Sequence, residues 1–176
     1  MQLVATDCQW IKPGDQPTDM CAHSRVILTV NGNSLSTVDD GDWCVSAAAV
    51  HLLRTLRRPH TTENPVGEHL IPCCGNTMVD AGADSEDDVL IIGCNQGVDW
   101  QVIHNADSTL TFHINSTTIP ISLADWRDAV VQFADSVRKF YEGSAPKSQT
   151  DEWAYEGYEL MMSEWDRRRS DAESMA

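Results

Sequence analysis

The chain has 176 residues, of which 27 are Asp or Glu and 12 are Lys or Arg, giving a formal net charge of -15 at pH 7. A chain this acidic repels nucleic acid and anionic membranes, and it favours partners that present a basic face. Its apolar content of 41% fits a folded globule rather than a disordered acidic chain. We expect one domain spanning residues 1–176.

The negative charge is concentrated in the middle of the chain. The stretch from Pro59 to Trp126 contains ten acids and no Lys or Arg. Residues 1–7 have neither the basic nor the apolar region of a signal peptide, and apolar runs such as 89–92 are far shorter than the ~20 residues that span a bilayer. We therefore expect a cytoplasmic protein that has no membrane contact and keeps its six cysteines reduced.

The N-terminal part, residues 1–38, is rich in strand-forming sequence. Short strands are predicted at Gln2–Thr6 and Cys8–Ile11, and a longer β-branched strand at Arg25–Val30. The Asn-Gly pair at 31–32 predicts a tight turn, across which Leu35–Val38 is expected to pair back.

The first predicted helix covers about Trp43–Arg57. The acids at 39–42 are its expected N-terminal caps, and Pro59 ends it. Five apolar residues at helical spacing predict one core-facing stripe: Val45, Ala49, Leu52, Leu53 and Leu56.

The central segment combines loops with a predicted meander. Short strands are expected at His69–Cys74 and Thr77–Val79, and Asp80–Asp88 reads as an exposed acidic loop. Val89–Cys94 is apolar on both faces, which is typical of a central strand. We expect Val98–His104 to pair back with it. Two further strands then complete an antiparallel meander, Thr109–Ile114 and Thr118–Ile121.

Two helices are predicted at the C-terminus. Ser122 to Asp125 resembles a capping box, and the apolar stripe behind it runs from Trp126 to Tyr141. A second helix is predicted at Asp151–Arg169. The predicted fold is therefore α+β: an antiparallel β-sheet meander packed by one N-terminal and two C-terminal helices.

The cysteines and histidines give no strong motif for chemistry. Paired metal ligands at Cys-x-x-Cys or His-x-x-x-His spacing are absent, so neither a metal nor another cofactor is expected. A thiol hydrolase could use Cys94 as nucleophile, His104 as base and Asp99 to orient the base. Asp99 and His104 lie five residues apart on one strand, however, and should point to opposite faces. We do not expect an enzyme.

The acidic segment is instead the best candidate for binding a partner, because ordinary solvated surfaces mix charges of both signs. An aromatic ring framed by carboxylates also suits an arginine of a basic partner. The predicted contact residues are six acids and one aromatic anchor: Asp80, Asp84, Glu86, Asp87, Asp88, Asp99 and Trp100.

Two sets of residues carry a family resemblance over roughly residues 26–170. One set comprises the Trp-Arg-Asp-Ala-Val run at 126–130, the Phe-Tyr pair at 140–141 and the C-terminal Glu-Trp pair at 164–165. The other comprises His-Leu-Ile-Pro-Cys-Cys-Gly at 69–75 and Gly-Val-Asp-Trp at 97–100. With these, the chain resembles the immunity proteins encoded beside bacterial polymorphic toxins of contact-dependent inhibition, type VI secretion or Rhs systems.

The resemblance implies an inhibitor that binds the C-terminal domain of its cognate toxin and blocks the active site. Because the chain is expected to be cytoplasmic, the toxin should act there, for example as a nuclease. A nucleic-acid mimic that inhibits a DNA-binding protein is the alternative, and a thiol hydrolase using Cys94 is a weaker one.

Overall fold

The computed structural model describes residues 1–11, 17–75, 77–148 and 152–175. The described residues form three helices and a set of short antiparallel strands, so the predicted α+β class, with one N-terminal and two C-terminal helices, is confirmed. The strands are β1 (Gln2–Ala5), β2 (His23–Ser24), β3 (Val26–Val30), β4 (Asn33–Ser36), β5 (Trp43–Cys44), β6 (Ile71–Pro72), β7 (Thr77–Asp80), β8 (Val89–Ile92), β9 (Gly97–Val98), β10 (Gln101–His104), β11 (Thr109–Ile114) and β12 (Thr117–Ser122). The helices are α1 (Val45–Arg54), α2 (Leu123–Glu142) and α3 (Glu152–Glu173).

Helix α1 lies at the centre of the molecule, and all ten of its residues are buried. Polar side chains on and beside it are tolerated because each has a partner. Ser46 Oγ lies 2.7 Å from Tyr141 Oη of α2, and Thr55 Oγ1 accepts a hydrogen bond of 2.9 Å from Trp126 Nε1. The sequence predicted a single apolar stripe, but α2, α3 and β6 surround this helix.

The start of α1 differs from the prediction. Trp43 and Cys44 form strand β5, which pairs with β2, and the helix begins only at Val45. In the described part of the chain no side chain caps it, and the Val45 N–H donates instead to the backbone oxygen of Ala22 at 2.9 Å. The predicted caps at 39–42 are therefore wrong, since a neighbouring segment of backbone supplies the acceptor.

The N-terminal sheet, in the order β1-β3-β4, follows the sequence closely. Asn31 and Gly32 both have positive φ, 49° and 82°, as the predicted hairpin turn requires. β4 begins directly after this turn rather than at Leu35. Of the predicted strand Cys8–Ile11, only Gln9 forms a bridge, to His23.

The meander is formed by β10, β11 and β12, and its inner face packs on α2. The rings of Phe112 and Trp126 meet edge to face at 4.9 Å, and Trp100 contacts Trp126 at 6.2 Å. These aromatic rings fix the sheet against the helix, because edge-to-face pairs add to the free energy of burial.

The strands before the meander pair differently from the prediction. β8 pairs with β7, and β9 pairs with β6, so Val89–Cys94 does not pair with Val98–His104. The two strand pairs continue the same antiparallel register, in which Ile71 is paired with Val98 and Thr77 with Ile92. Strands β6 and β7 on one side and β8 and β9 on the other thus form one interrupted hairpin that carries the loop 81–88 at its tip.

The C-terminal helices were predicted well. Ser122 Oγ accepts a hydrogen bond of 3.0 Å from the Asp125 N–H, and Gly143 follows the last turn of α2. α3 extends four residues beyond the predicted end at Arg169, and its predicted first residue, Asp151, lies outside the described residues. α3 packs closely on β7 because Gly157 has no side chain. A Cβ there would lie 2.2 Å from the Met78 carbonyl oxygen.

Candidate functional site

The acidic loop is partly neutralised by arginines of the protein itself. Asp87 receives hydrogen bonds of 2.6 Å from both Arg58 and Arg168. Asp88 is paired with Arg167 at 2.8 Å. Asp87 and Asp88 were predicted to contact a partner, but their carboxylates hold the loop to α3 and to the segment after α1.

A buried carboxylate completes this anchor. Glu164 is fully buried and accepts hydrogen bonds from Arg54 Nε at 2.8 Å and from Arg168 Nε at 2.5 Å. The backbone N–H groups of Asp88 and Val89 also donate to it, at 2.9 and 3.1 Å. Burial alone would raise the pKa of Glu164, but the hydrogen bonds and charges of Arg54 and Arg168 outweigh it and lower the pKa to about 2. The base of the loop is therefore rigidly held.

Three of the predicted contact acids remain on the surface. Asp80 and Asp84 are exposed, and among the described residues neither has an ion pair with Lys or Arg. The Glu86 side chain is 81% exposed, and among the described residues its carboxylate has one ion pair, with Arg58 at 3.2 Å. Asp80 at the end of β7, with Asp84 and Glu86 in the loop, is thus the part of the predicted set that faces solvent.

Asp99 has a structural role at the base of another loop. It accepts a hydrogen bond of 2.9 Å from the Leu70 N–H and lies 3.1 Å from His60 Nε2. His60 Nδ1 accepts from the Val66 N–H, so the imidazole proton is on Nε2 and is donated to Asp99. These bonds fix the segment 60–70, although the Asp99 side chain is still partly exposed.

Trp100 does not form a surface anchor. Its side chain is only 3% exposed and packs between Phe112 and Trp126. The prediction that Trp100 anchors a partner is wrong, because the residue lies on the same inward face of the chain as Val102.

An exposed apolar surface lies on β8 instead of at Trp100. Leu90 and Ile92 are 51% and 42% exposed on one face, whereas Val89 and Ile91 are buried on the other. The sequence predicts a central strand that is buried on both faces, but the described residues cover only one face of β8. A cleft of about 440 Å³ lies beside it, lined by Leu90–Ile92, by the segment Pro65–Glu68, and by Arg54 and Asp87.

Among the described residues, the edge of β8 next to the cleft has one pair of backbone groups without a bonding partner. The Ala81 N–H donates to the Asp88 oxygen, which makes 81 and 88 a hydrogen-bonded pair. Bonded and non-bonded residues alternate along an antiparallel strand, so the N–H and C=O groups of Val89 and Ile91 point away from β7. Glu164 and Arg54 bind those of Val89. For Ile91, no bonding partner occurs within residues 1–11, 17–75, 77–148 and 152–175.

The three residues of the hypothetical thiol hydrolase are not assembled into a site. His104 Nε2 forms a hydrogen bond of 2.8 Å with the Thr55 backbone oxygen, and Asp99 is bound to His60. Cys94 lies instead beside Cys74, whose Sγ accepts a hydrogen bond of 2.9 Å from the Cys94 N–H.

Comparisons with known proteins do not place the chain in a family. No protein-family model, no curated protein and no solved structure matches it. In the described part of the chain, no helix has both the length and the apolar character needed to cross a membrane. Within the same residues, no three His, Cys, Asp or Glu side chains are grouped so that they could hold a metal ion.

Proposed function

We propose that the protein is an inhibitor that binds a basic face of another protein, the cognate C-terminal domain of a bacterial toxin. The single observation that carries the proposal is the cleft beside β8. There an uncovered apolar strand face, Leu90 and Ile92, adjoins exposed carboxylates. Glu68 lines the cleft, and the loop that bears Asp84 and Glu86 leads directly into β8.

Such a surface suits a partner segment with apolar side chains flanked by Lys or Arg. The apolar groups would bury Leu90 and Ile92, and the cations would meet carboxylates that have little internal compensation. A second copy of the same chain is a poorer occupant of the cleft, because it would bring together two chains of net charge -15.

The charge of the chain and the family resemblance both support a toxin as the partner. An enzyme that acts on nucleic acid needs a basic substrate surface, and an acidic inhibitor can reach that surface quickly through electrostatic steering. We place the inhibitor in the cytoplasm, where such a toxin acts. It would block the toxin's active site without chemistry of its own.

The alternative, a nucleic-acid mimic, has less support. Mimicry of a phosphate backbone requires a row of free carboxylates, and the row at 84–88 is interrupted. Asp87 and Asp88 are occupied by Arg58, Arg167 and Arg168.

Co-expression tests the proposal. The chain should restore growth of cells that express the toxic C-terminal domain encoded next to its gene, and failure of the wild-type chain to protect would contradict the proposed function. The double variant Leu90→Glu, Ile92→Glu should protect poorly, whereas Val38→Glu should protect fully, because Val38 is also an exposed apolar residue but lies outside the cleft. Full protection by the double variant would show that the cleft does not bind the toxin.

A further inference from the structure

The interrupted hairpin contains three cysteines at its break. The regular pairing is interrupted between β6 and β7 on one side of this hairpin and between β8 and β9 on the other. Cys73, Cys74 and Cys94 lie in this break, and all three are partly exposed. The other three cysteines are Cys8, which is part-buried, and the buried pair Cys21 and Cys44.

The backbone of the break brings the three thiols together, because the Cys94 thiol has hydrogen bonds with the thiols of both Cys74 and Cys73. Cys74 Sγ lies 2.9 Å from the backbone nitrogen of Cys94. A disulfide would join this sulfur to Sγ of the same residue, Cys94. Gly93 permits this approach, because a Cβ at that position would lie 2.4 Å from the Cys74 carbonyl oxygen. The Cys74 side chain thus already lies against residue 94, as a Cys74–Cys94 bond requires.

We propose that Cys74 and Cys94 form a dithiol site that reacts with low-molecular-weight disulfides and closes into an intramolecular disulfide. The proposal is independent of the inhibitor function. The closed bond would join the two strands at the base of the hairpin that carries the acidic loop.

The reaction proceeds in two exchange steps. The Cys94 thiolate attacks one sulfur of the small disulfide, whose S–S bond breaks and releases one thiolate. The Cys74 thiolate then attacks Cys94 Sγ in the mixed disulfide and expels the second small thiolate. The two protein thiols lose two electrons to the reagent, and their two protons are taken up by the two released thiolates.

The neighbours of each thiol fit this order of attack. Hydrogen bonds from the Cys74 thiol and from the backbone at Gln96 lower the pKa of Cys94, which increases its thiolate fraction. Burial and the adjacent Cys94 raise the pKa of Cys74. Burial also raises the pKa of Cys8, which makes Cys8 a matched control with no thiol partner in the proposed site.

The experiment treats the reduced full-length chain with oxidised glutathione and follows it by intact mass spectrometry and peptide mapping. The wild-type chain should lose two hydrogens and yield a Cys74–Cys94 cross-link. The Cys74→Ser variant should instead retain one glutathione on Cys94. Cys73→Ser and Cys8→Ser should still form the cross-link.

A second measurement follows the rate of reaction with the folded chain. Cys94→Ser should slow the first exchange by about tenfold or more, because the thiol with the lowered pKa is lost. A wild-type chain that keeps a stable glutathione adduct, that cross-links Cys94 to Cys73, or that does not react would overturn the proposal.

Discussion

The carboxylate of Glu164 lies 2.8 Å from Arg54 Nε, although the two residues are 110 positions apart in the chain. This contact joins α3 to the central helix and, through the same carboxylate, to the start of β8. Arg54 also donates to the backbone oxygens of Val66 and Val89, at 2.7 and 2.6 Å, so its cationic group is well satisfied. The ion pair thus positions both borders of the β8 cleft.

Replacing Glu164 with Gln should destabilise the fold by about 3 kcal/mol, because the buried Arg54 and Arg168 would lose the carboxylate between them and keep only that of Asp87. Urea denaturation at pH 7 measures the change in free energy of unfolding. Glu159→Gln is the matched control: Glu159 lies on the same helix but is exposed, and the change should stay within about 0.5 kcal/mol. Equal stability of the two variants would contradict the role given to Glu164.

The free energy of unfolding should fall as the pH drops below about 6.5. Burial, with the nearby charge of Arg54, lowers the pKa of His51 to about 3 from its ordinary 6.5. In this range the unfolded chain binds a proton that the folded chain does not, so stability declines by up to about 1.4 kcal/mol per pH unit. Below about pH 4.5, Glu164 adds a second loss of stability. Its pKa of about 2 in the folded chain keeps the carboxylate charged, whereas the same side chain in the unfolded chain already binds a proton.

Two variants separate these contributions in urea titrations from pH 7 to pH 3. His51→Asn can still donate to the His69 backbone oxygen, as His51 Nδ1 does, and should flatten the curve between pH 6.5 and 4.5. Glu164→Gln should flatten the part below pH 4.5. A wild-type curve that is level between pH 6.5 and 4.5 would refute the assignment to His51.

Gly157→Ala should destabilise the protein by about 2 kcal/mol, although Ala is the better helix former by ~1 kcal/mol. The added Cβ would lie 2.2 Å from the Met78 carbonyl oxygen, which is backbone and cannot easily move. Gly143→Ala is the control, because its Cβ would be 3.6 Å from the nearest atom. Thermal unfolding compares the two, and a stabilised Gly157→Ala protein would show that α3 is not packed on β7 as described.

Charge reversal at Asp84 should slow association with the toxin domain about threefold at low salt and reduce the salt dependence of the association rate. Asp84 is exposed and has no ion pair with Lys or Arg among the described residues, so the fold should be unaffected. Asp39→Lys makes the same charge change at an exposed site elsewhere in the chain, and stopped-flow binding should show a smaller effect. Identical rates for both variants would mean that the loop does not face the partner.

Local features of the fold could be predicted from the sequence, whereas long-range pairing could not. The Ser122 cap, the apolar stripe of α2 and the Asn31-Gly32 turn depend on neighbouring residues, and each is present in the structure. The partner of Val89–Ile92 depends on distant residues, and periodicity cannot distinguish an edge strand that exposes Leu90 and Ile92 from a central strand.

In the candidate site, too, local features could be predicted from the sequence and long-range contacts could not. The absence of Lys and Arg between residues 59 and 126 is a property of the sequence, but the fold brings Arg167 and Arg168 onto Asp88 and Asp87 from far along the chain. Trp100 could have been assigned to the core, because it alternates in step with the apolar Val98 and Val102.

The most direct test of the proposed inhibitor is the affinity of the purified chain for the purified toxin domain at low and at physiological salt. We expect a tight complex whose association rate falls with salt. Leu90→Glu with Ile92→Glu should weaken the affinity by about 30-fold or more, and Val38→Glu should leave it unchanged. Absence of binding by the wild-type chain at low salt would contradict the account.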